Sequence, residues 1–233
     1  MIFVTGDKHG ELSIKNLGTK KFSIGKTLTK NDYVIIAGDF GLIFNNVQSK
    51  DEKYHIKWLT EKPWTTLFVD GNHENHPLLL DLPTTEMFGG CVGIVNDSIY
   101  HLRRGEVYII DNKKFFTFGG ASSHDKLTRR EHIDWWKEEL PTYGECENGL
   151  ANLEKHGNKV DYIITHTCPT DIIYDLCFLT WKNFADRIDK ISNYFDVIQE
   201  TADFKRWYFG HFHEDLEVNK KFHCLYHSIQ QIV

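Results

Sequence analysis

The sequence predicts an α/β protein in which two mixed β-sheets pack together and helices cover their outer faces, as in a four-layer sandwich. Five short runs of β-branched and aromatic residues are apolar on both faces, which is typical of central strands covered from both sides. Segments with apolar residues at helical spacing lie between these runs. The chain has 233 residues, 41% of them apolar, so we expect a single domain spanning residues 1–233.

Each of the five runs is followed by Gly, Asp, Asn or His. The runs are Ile2–Thr5, Tyr33–Ala37, Thr66–Val69, Tyr162–Thr165 and Trp207–Phe209. Residues 90–120 and 215–233 differ from them, because turn residues separate shorter strand-like segments there, and we expect hairpins.

Three helices are predicted between the strands. They cover Lys50–Glu61, Glu131–Glu139 and Lys182–Thr201. The third is expected to be the longest, because apolar residues recur at helical spacing from Phe184 to Ile198.

Composition narrows the class of protein. The formal net charge of −6 argues against a broad basic surface for nucleic acid, although it permits a nucleotide held by metals. The five cysteines are widely spaced and include no C-x-x-C pair, which favours reduced thiols. No signal peptide and no apolar run of about 20 residues is found, so we expect a cytoplasmic protein without a membrane segment.

Polar clusters follow all five predicted strands. They are Gly6-Asp7-Lys8-His9-Gly10, Gly38-Asp39, Asp70-Gly71-Asn72-His73-Glu74, His166 and Gly210-His211-Phe212-His213. The carboxyl ends of strands meet at one edge of an α/β fold, so these clusters are expected to lie together. Asp and His are suitable ligands for Zn, Mn and Fe(II), and residues two apart in an extended segment point the same way. The clusters contain no cysteine, which disfavours a structural zinc site.

The same ordered set resembles the calcineurin-like metallophosphoesterases, from residue 5 to residue 213. The resemblance implies the two-sheet sandwich and a dinuclear metal centre. One metal would be held by Asp7, His9 and His213, and the other by Asn72, His166 and His211, with Asp39 bridging both. It further implies hydrolysis of a phosphate ester by a metal-bridging hydroxide. Mn²⁺ is the expected metal, with Fe, Zn, Ni and Co as alternatives.

His73 is expected to lie outside the ligand set. The resemblance implies that it faces the leaving-group oxygen, as a general acid or as a stabiliser of charge in the transition state. The carboxylate partner of its ring is left open between Asp70, Glu74 and none.

The stretch after Asp39 departs from the phosphoprotein phosphatase branch. That branch carries Gly-Asp-x-x-Asp-Arg-Gly, whereas residues 38–44 lack the second Asp and the Arg. A small-molecule or nucleotide substrate is therefore expected rather than a phosphoprotein. The alternatives are a phosphodiesterase or nuclease acting on cyclic nucleotides or nucleic-acid ends, and a non-catalytic metal-binding module.

Basic side chains away from the clusters are weaker candidates for substrate binding. A guanidinium fits phosphate oxygens, so Arg129, Arg130 and the pair Arg103-Arg104 are candidates, and His124 lies in the same predicted loop as the first two. Substrate choice is expected to reside in three loops around the metal edge, at residues 41–50, 121–130 and 167–182.

Overall fold

Thirteen strands and five α-helices form the fold of the computed structural model, which describes all 233 residues. The strands are β1 (Ile2–Thr5), β2 (Tyr33–Ala37), β3 (Thr65–Val69), β4 (Thr84–Met87), β5 (Gly90–Asn96), β6 (Ile99–Leu102), β7 (Glu106–Ile110), β8 (Lys113–Phe118), β9 (Tyr162–Thr165), β10 (Arg206–Phe209), β11 (Leu216–Glu217), β12 (Phe222–Cys224) and β13 (Ile229–Gln231). The helices are α1 (Lys50–Thr60), α2 (His76–Leu80), α3 (Tyr143–Lys155), α4 (Thr170–Thr180) and α5 (Lys190–Thr201).

The strands form two mixed sheets. The first has the order β13-β1-β2-β3-β6-β5-β4, and the second has the order β11-β12-β10-β9-β8-β7. Parallel strands occupy the centre of each sheet and antiparallel strands lie at the edges. This arrangement, with helices flanking the two sheets, confirms the predicted fold class.

Three apolar layers explain why the central strands are apolar on both faces. In β1, Val4 belongs to the buried cluster that also contains Ile164 and Tyr208 of the second sheet, so this layer lies between the sheets. The neighbouring Phe3 belongs to a different cluster, which contains Leu59 of α1 and covers the outer face. A third cluster packs the second sheet against α4 and α5. Alternate residues of one strand therefore enter different layers.

The helix predicted over Glu131–Glu139 is wrong. Residues 131 and 135 form an isolated bridge, and only a short 3₁₀ turn follows at Lys137–Glu139. The Asp134 carboxylate accepts a hydrogen bond from the Arg130 backbone N–H, and His132 has a positive φ of 65°. Both features favour a turn over a helix. The helix begins instead at Tyr143, after a Thr142–Glu145 capping box.

The predicted start of the Lys182–Thr201 helix is also wrong. Asp189 accepts hydrogen bonds from the backbone N–H groups of Ile191 and Ser192, and this cap starts α5 at Lys190. Thr142-capped α3 has 13 residues and α5 has 12, so α5 is not the longest helix. The segment 167–182, predicted as a loop, contains α4, whose first N–H donates to the Asp196 carboxylate.

The carboxyl ends of β1, β2 and β3 in one sheet and of β9 and β10 in the other lie at a common edge, where hydrogen bonds join the loops. Lys8 N and His9 N donate to the Asp39 carbonyl at 2.9 and 2.7 Å, and Gly210 N donates to the His166 carbonyl at 2.9 Å. His73 N donates to Asp39 Oδ1 at 2.8 Å and His211 N donates to Asp7 Oδ1 at 3.0 Å, so hydrogen bonds link all five polar clusters. None of the helices is both long and apolar enough to cross a membrane.

Candidate metal centre

The first group of predicted ligands converges at this edge. One potential ligand atom from each of Asp7, His9, Asp39 and His213 lies within 4.8 Å of the others. The Nε2 atoms of His9 and His213 are 2.9 Å apart, and His213 Nε2 lies 3.2 Å from Asp7 Oδ2. The buried Asp7 carboxylate also accepts a hydrogen bond from His211 N at 3.0 Å, which ties the last cluster to the first.

The second group lies on the other side of Asp39. His166 Nε2 is 3.2 Å from Asn72 Oδ1 and 3.3 Å from Asp39 Oδ1. The His211 ring packs edge-on against His166 at 5.0 Å between centroids, and its buried Nε2 has no hydrogen-bond partner. Asp39 Oδ2 lies 3.6 Å from His9 Nδ1, so its two oxygens face the two groups.

These distances suit divalent cations. Two ligand atoms that are each about 2.1 Å from one cation lie about 3–4 Å apart, which matches the spacing in both groups. His166 Nδ1 donates to the Ala37 carbonyl at 3.0 Å, so the Nε2 lone pair is the one available to a metal. The His9 and His213 nitrogens face each other with an anionic carboxylate beside them, an arrangement that a shared cation would stabilise. The donor set therefore fits metal binding, while the split of ligands between two metals stays a prediction.

Neighbouring charges outweigh the effect of burial on the pKa values of Asp39 and His166. Burial raises the pKa of Asp39, but the imidazoles of His166, His73 and His9 outweigh it and hold that pKa well below its usual range. Burial lowers the pKa of His166, but the Asp39 carboxylate, assisted by Asp7, raises it to about 9. Burial holds the pKa of His211 well below its usual value. The centre thus keeps Asp39 anionic, as a ligand to a cation must be.

The family model for calcineurin-like phosphoesterases matches residues 1–215 of the chain. The chain belongs to this family. It is therefore a phosphoesterase that depends on divalent metal. A comparison with curated proteins gave no match.

Two glycines of this phosphoesterase allow the ligands to approach. A Cβ on Gly71 would lie 2.0 Å from Asp39 Oδ1, and a Cβ on Gly38 would lie 2.0 Å from His166 Nδ1. Gly38 also has a φ of +91°, a conformation that other residues rarely adopt. Glycine is required at both positions because a side chain would occupy the place of a ligand.

A hydrogen-bonded relay behind Asn72 was not anticipated from the sequence. Asn72 Nδ2 donates to Ser123 Oγ at 3.2 Å, and Ser123 Oγ donates to Glu139 Oε2 at 2.6 Å. Ser123 N also donates to Glu139 Oε1 at 2.9 Å. The relay turns the Asn72 amide so that its oxygen faces His166. No spacing rule connects residues 123 and 139, and the incorrect helix predicted over 131–139 gave no reason to expect Glu139 beside Ser123.

The two carboxylates considered as partners of His73 have other roles. Glu74 Oε1 accepts from Phe40 N at 2.6 Å and so holds the turn that carries Asp39. Asp70 accepts two hydrogen bonds from Arg104 at 2.9 and 2.6 Å and one from His101. No carboxylate hydrogen-bonds to the His73 ring, so neither Asp70 nor Glu74 is its partner. Arg104 is a buried structural residue rather than a free phosphate clamp.

His73 lies beside the ligands. Its backbone N donates to Asp39 Oδ1 at 2.8 Å, and its ring packs edge-on against His9 with centroids 5.0 Å apart. Burial lowers its pKa, against the opposing effect of the Asp39 carboxylate. Arg129 also reaches its ring, with Nη1 3.4 Å from His73 Nδ1.

Of the candidates Arg129, Arg130 and His124, only Arg129 reaches the site. Arg129 contacts His73, as described above. Arg130 is exposed and forms hydrogen bonds only through its backbone, and the exposed His124 side chain makes no hydrogen bond. Neither Arg130 nor His124 is brought to the metal ligands by any contact, and substrate binding by either is unsupported.

Proposed function

We propose that the protein hydrolyses a phosphate ester at a dinuclear centre. Asp7, His9 and His213 would hold one cation and Asn72, His166 and His211 the other. The observation that carries this proposal is the placement of Asp39, whose two carboxylate oxygens face the two groups from one buried side chain. A carboxylate in that position can bridge two metals. Mn²⁺ is the expected metal, and Fe, Zn, Ni and Co are alternatives.

The reaction needs a nucleophile, neutralisation of phosphate charge and help for the leaving group. Two bound cations would supply an activated water and neutralise charge on the phosphate oxygens. The chain supplies the rest. Asp39 holds His73 in place by accepting its backbone N–H, and the His73 imidazole lies beside His9 at the edge where the ester would bind. On this placement we assign His73 to the leaving-group oxygen, the role that the family resemblance implies.

The groove next to the ligands favours a small substrate. Its volume is about 630 Å³, within the roughly 300–1,000 Å³ that is typical of ligand pockets. His9, His73 and His213 contribute to its lining. Its lining contains no Lys or Arg, whereas Glu11 and Asp51 both contribute. A nucleic-acid strand needs basic residues along its backbone. We therefore favour a small-molecule or nucleotide monoester over a nucleic acid.

The test begins with purified protein loaded with Mn²⁺ and two substrates, p-nitrophenyl phosphate and bis-p-nitrophenyl phosphate. Faster turnover of the monoester is expected, and faster turnover of the diester would support the phosphodiesterase alternative. Turnover of neither would support a non-catalytic metal-binding module.

Variants then test the roles of the residues. Asp39→Ala is expected to abolish both activity and metal loading, measured by elemental analysis, and full turnover in this variant refutes the mechanism. The matched control is Asp51→Ala, an exposed carboxylate of the same groove, which should keep its metal. His73→Ala should retain metal but turn over slowly, and a large loss of metal would instead make His73 a ligand.

A further inference from the structure

The partner of the His73 ring is the Arg129 guanidinium and neither of the two carboxylates that the sequence left open. Arg129 Nη1 lies 3.4 Å from His73 Nδ1, and no other hydrogen bond reaches the ring. The choice of partner matters, because the atom that bonds to one ring nitrogen decides which nitrogen carries the proton.

Arg129 is held firmly by the protein. Its Nε and Nη2 donate to the two carboxylate oxygens of Asp125 at 2.7 and 2.8 Å, and Nη1 donates to the Asp134 carbonyl at 3.0 Å. With the contact to His73, four of its N–H groups are engaged, out of the five that a guanidinium offers. A phosphate clamp would need a pair of free N–H groups in a fork, and Arg129 does not have one.

We infer that Arg129 is a positioning residue for His73, holding the ring in the tautomer that carries its proton on Nε2. A guanidinium can donate hydrogen bonds but cannot accept them, so His73 Nδ1 must be the acceptor. Nε2 then carries the hydrogen, and it makes no hydrogen bond within the protein. The inference rests on the proposed function, because it assigns a role to His73 in that reaction.

The consequence is a choice between the two roles considered for His73. A neutral ring with a proton on Nε2 donates a hydrogen bond to the leaving-group oxygen as the ester P–O bond breaks and its electron pair moves to that oxygen. The proton stays on Nε2, and the released oxygen takes its proton from water. His73 thus stabilises developing charge rather than acting as a full general acid. This help matters most for a poor leaving group.

The kinetic test compares phenyl phosphate with p-nitrophenyl phosphate, whose leaving group needs little help, on the Mn²⁺-loaded enzyme. Arg129→Ala should lower kcat for phenyl phosphate about tenfold and change KM little, while p-nitrophenyl phosphate loses far less. The matched control is Arg130→Ala, the neighbouring exposed arginine, which should match wild type on both substrates. Equal losses on the two substrates, with a raised KM, would make Arg129 a phosphate clamp and overturn the inference.

Asp125→Asn provides a second variant that keeps the guanidinium. It weakens the anchor of Arg129, so it should reproduce the selective loss on phenyl phosphate in weaker form. Unchanged or improved turnover of phenyl phosphate would overturn the inference, since a released arginine could still bind phosphate.

The tautomer can be observed without activity. In ¹⁵N-histidine-labelled protein loaded with Zn²⁺, the His73 signals are identified by their absence in His73→Asn. Wild type should show a protonated Nε2 and an unprotonated Nδ1, and Arg129→Ala should show a mixture. A protonated Nδ1 in wild type would overturn the inference. If wild type hydrolyses neither substrate, the proposed function fails, while this measurement still tests the role of Arg129.

Discussion

Removal of the Ser123 hydroxyl would test how strongly the relay behind Asn72 fixes a metal ligand. Ser123→Ala deletes the acceptor for Asn72 Nδ2 and the donor to the buried Glu139 carboxylate. The Asn72 amide can then rotate, so its oxygen is no longer held toward His166. We expect weaker binding of the metal that Asn72 is predicted to hold, with little effect on the other metal.

The size of the effect follows from the two bonds. A hydrogen bond to a charged group contributes about 1.5–3 kcal/mol, and the one at 2.6 Å to Glu139 is buried. We expect the free energy of unfolding of the metal-free protein to fall by about 2 kcal/mol. Groups that orient a metal ligand typically change affinity by about 10–100-fold, and loss of the neutral bond at 3.2 Å favours the lower figure, about tenfold.

Calorimetric titration with Mn²⁺ measures both affinities, and urea denaturation measures stability. Ser122→Ala is the matched control, because the neighbouring Ser122 bonds only through its backbone N, to Asp189. If Ser123→Ala loses stability as expected but binds both metals within about twofold of wild type, the relay does not orient Asn72 and the reasoning is refuted.

Three further predictions concern the charges and packing of the site. The pKa of His166 is raised from 6.5 to about 9, so the folded protein binds this proton more tightly than the unfolded chain does. The protonated ring therefore stabilises the metal-free protein fully below pH 6.5, and this stabilisation is lost as the pH rises through 9. Because a cation must displace that proton, metal affinity in titrations should rise up to about tenfold per pH unit between pH 7 and 9, and a flat profile contradicts this. Gly71→Ala should displace the bridging carboxylate and reduce metal content, whereas Gly144→Ala, with no neighbour within 4 Å, should not. Arg104→Met leaves the buried Asp70 carboxylate without its cationic partner. The free energy of unfolding, measured by urea denaturation, should fall by about 3–5 kcal/mol, and a fall below about 1 kcal/mol would contradict this.

The central strands could be predicted from the sequence to within one residue. Each is buried on both faces, so its apolar run ends where the chain reaches the common edge and polar residues begin. Thr65–Val69 and Arg206–Phe209 each extend only one residue beyond the predicted run. Because the ligands follow these strands directly, their convergence was predictable by the same logic.

The helices were harder to predict, because local hydrogen bonds and tertiary contacts decide where they begin. The Asp134 carboxylate accepts the Arg130 backbone N–H in a turn, which competes with a helix. Trp136 is buried against Phe44, with ring centroids 5.3 Å apart. Asp189 starts α5 eight residues after the predicted start at Lys182 (190 against 182), although Phe184 still packs into the same core. The apolar spacing from Phe184 to Ile198 indicated burial correctly, but burial does not require a helix.

The groups that orient the site come from the part of the chain that was predicted least well. Arg129, which Asp125 anchors, contacts His73, and the Ser123–Glu139 pair holds Asn72, so residues 121–139 support both sides of the centre. None of these residues is a predicted metal ligand. Substitutions in this segment would therefore change the His73 tautomer or the Asn72 orientation while leaving all seven predicted ligands in place. Two chains with identical ligand sets can accordingly differ in leaving-group preference, and that preference is decided in this loop.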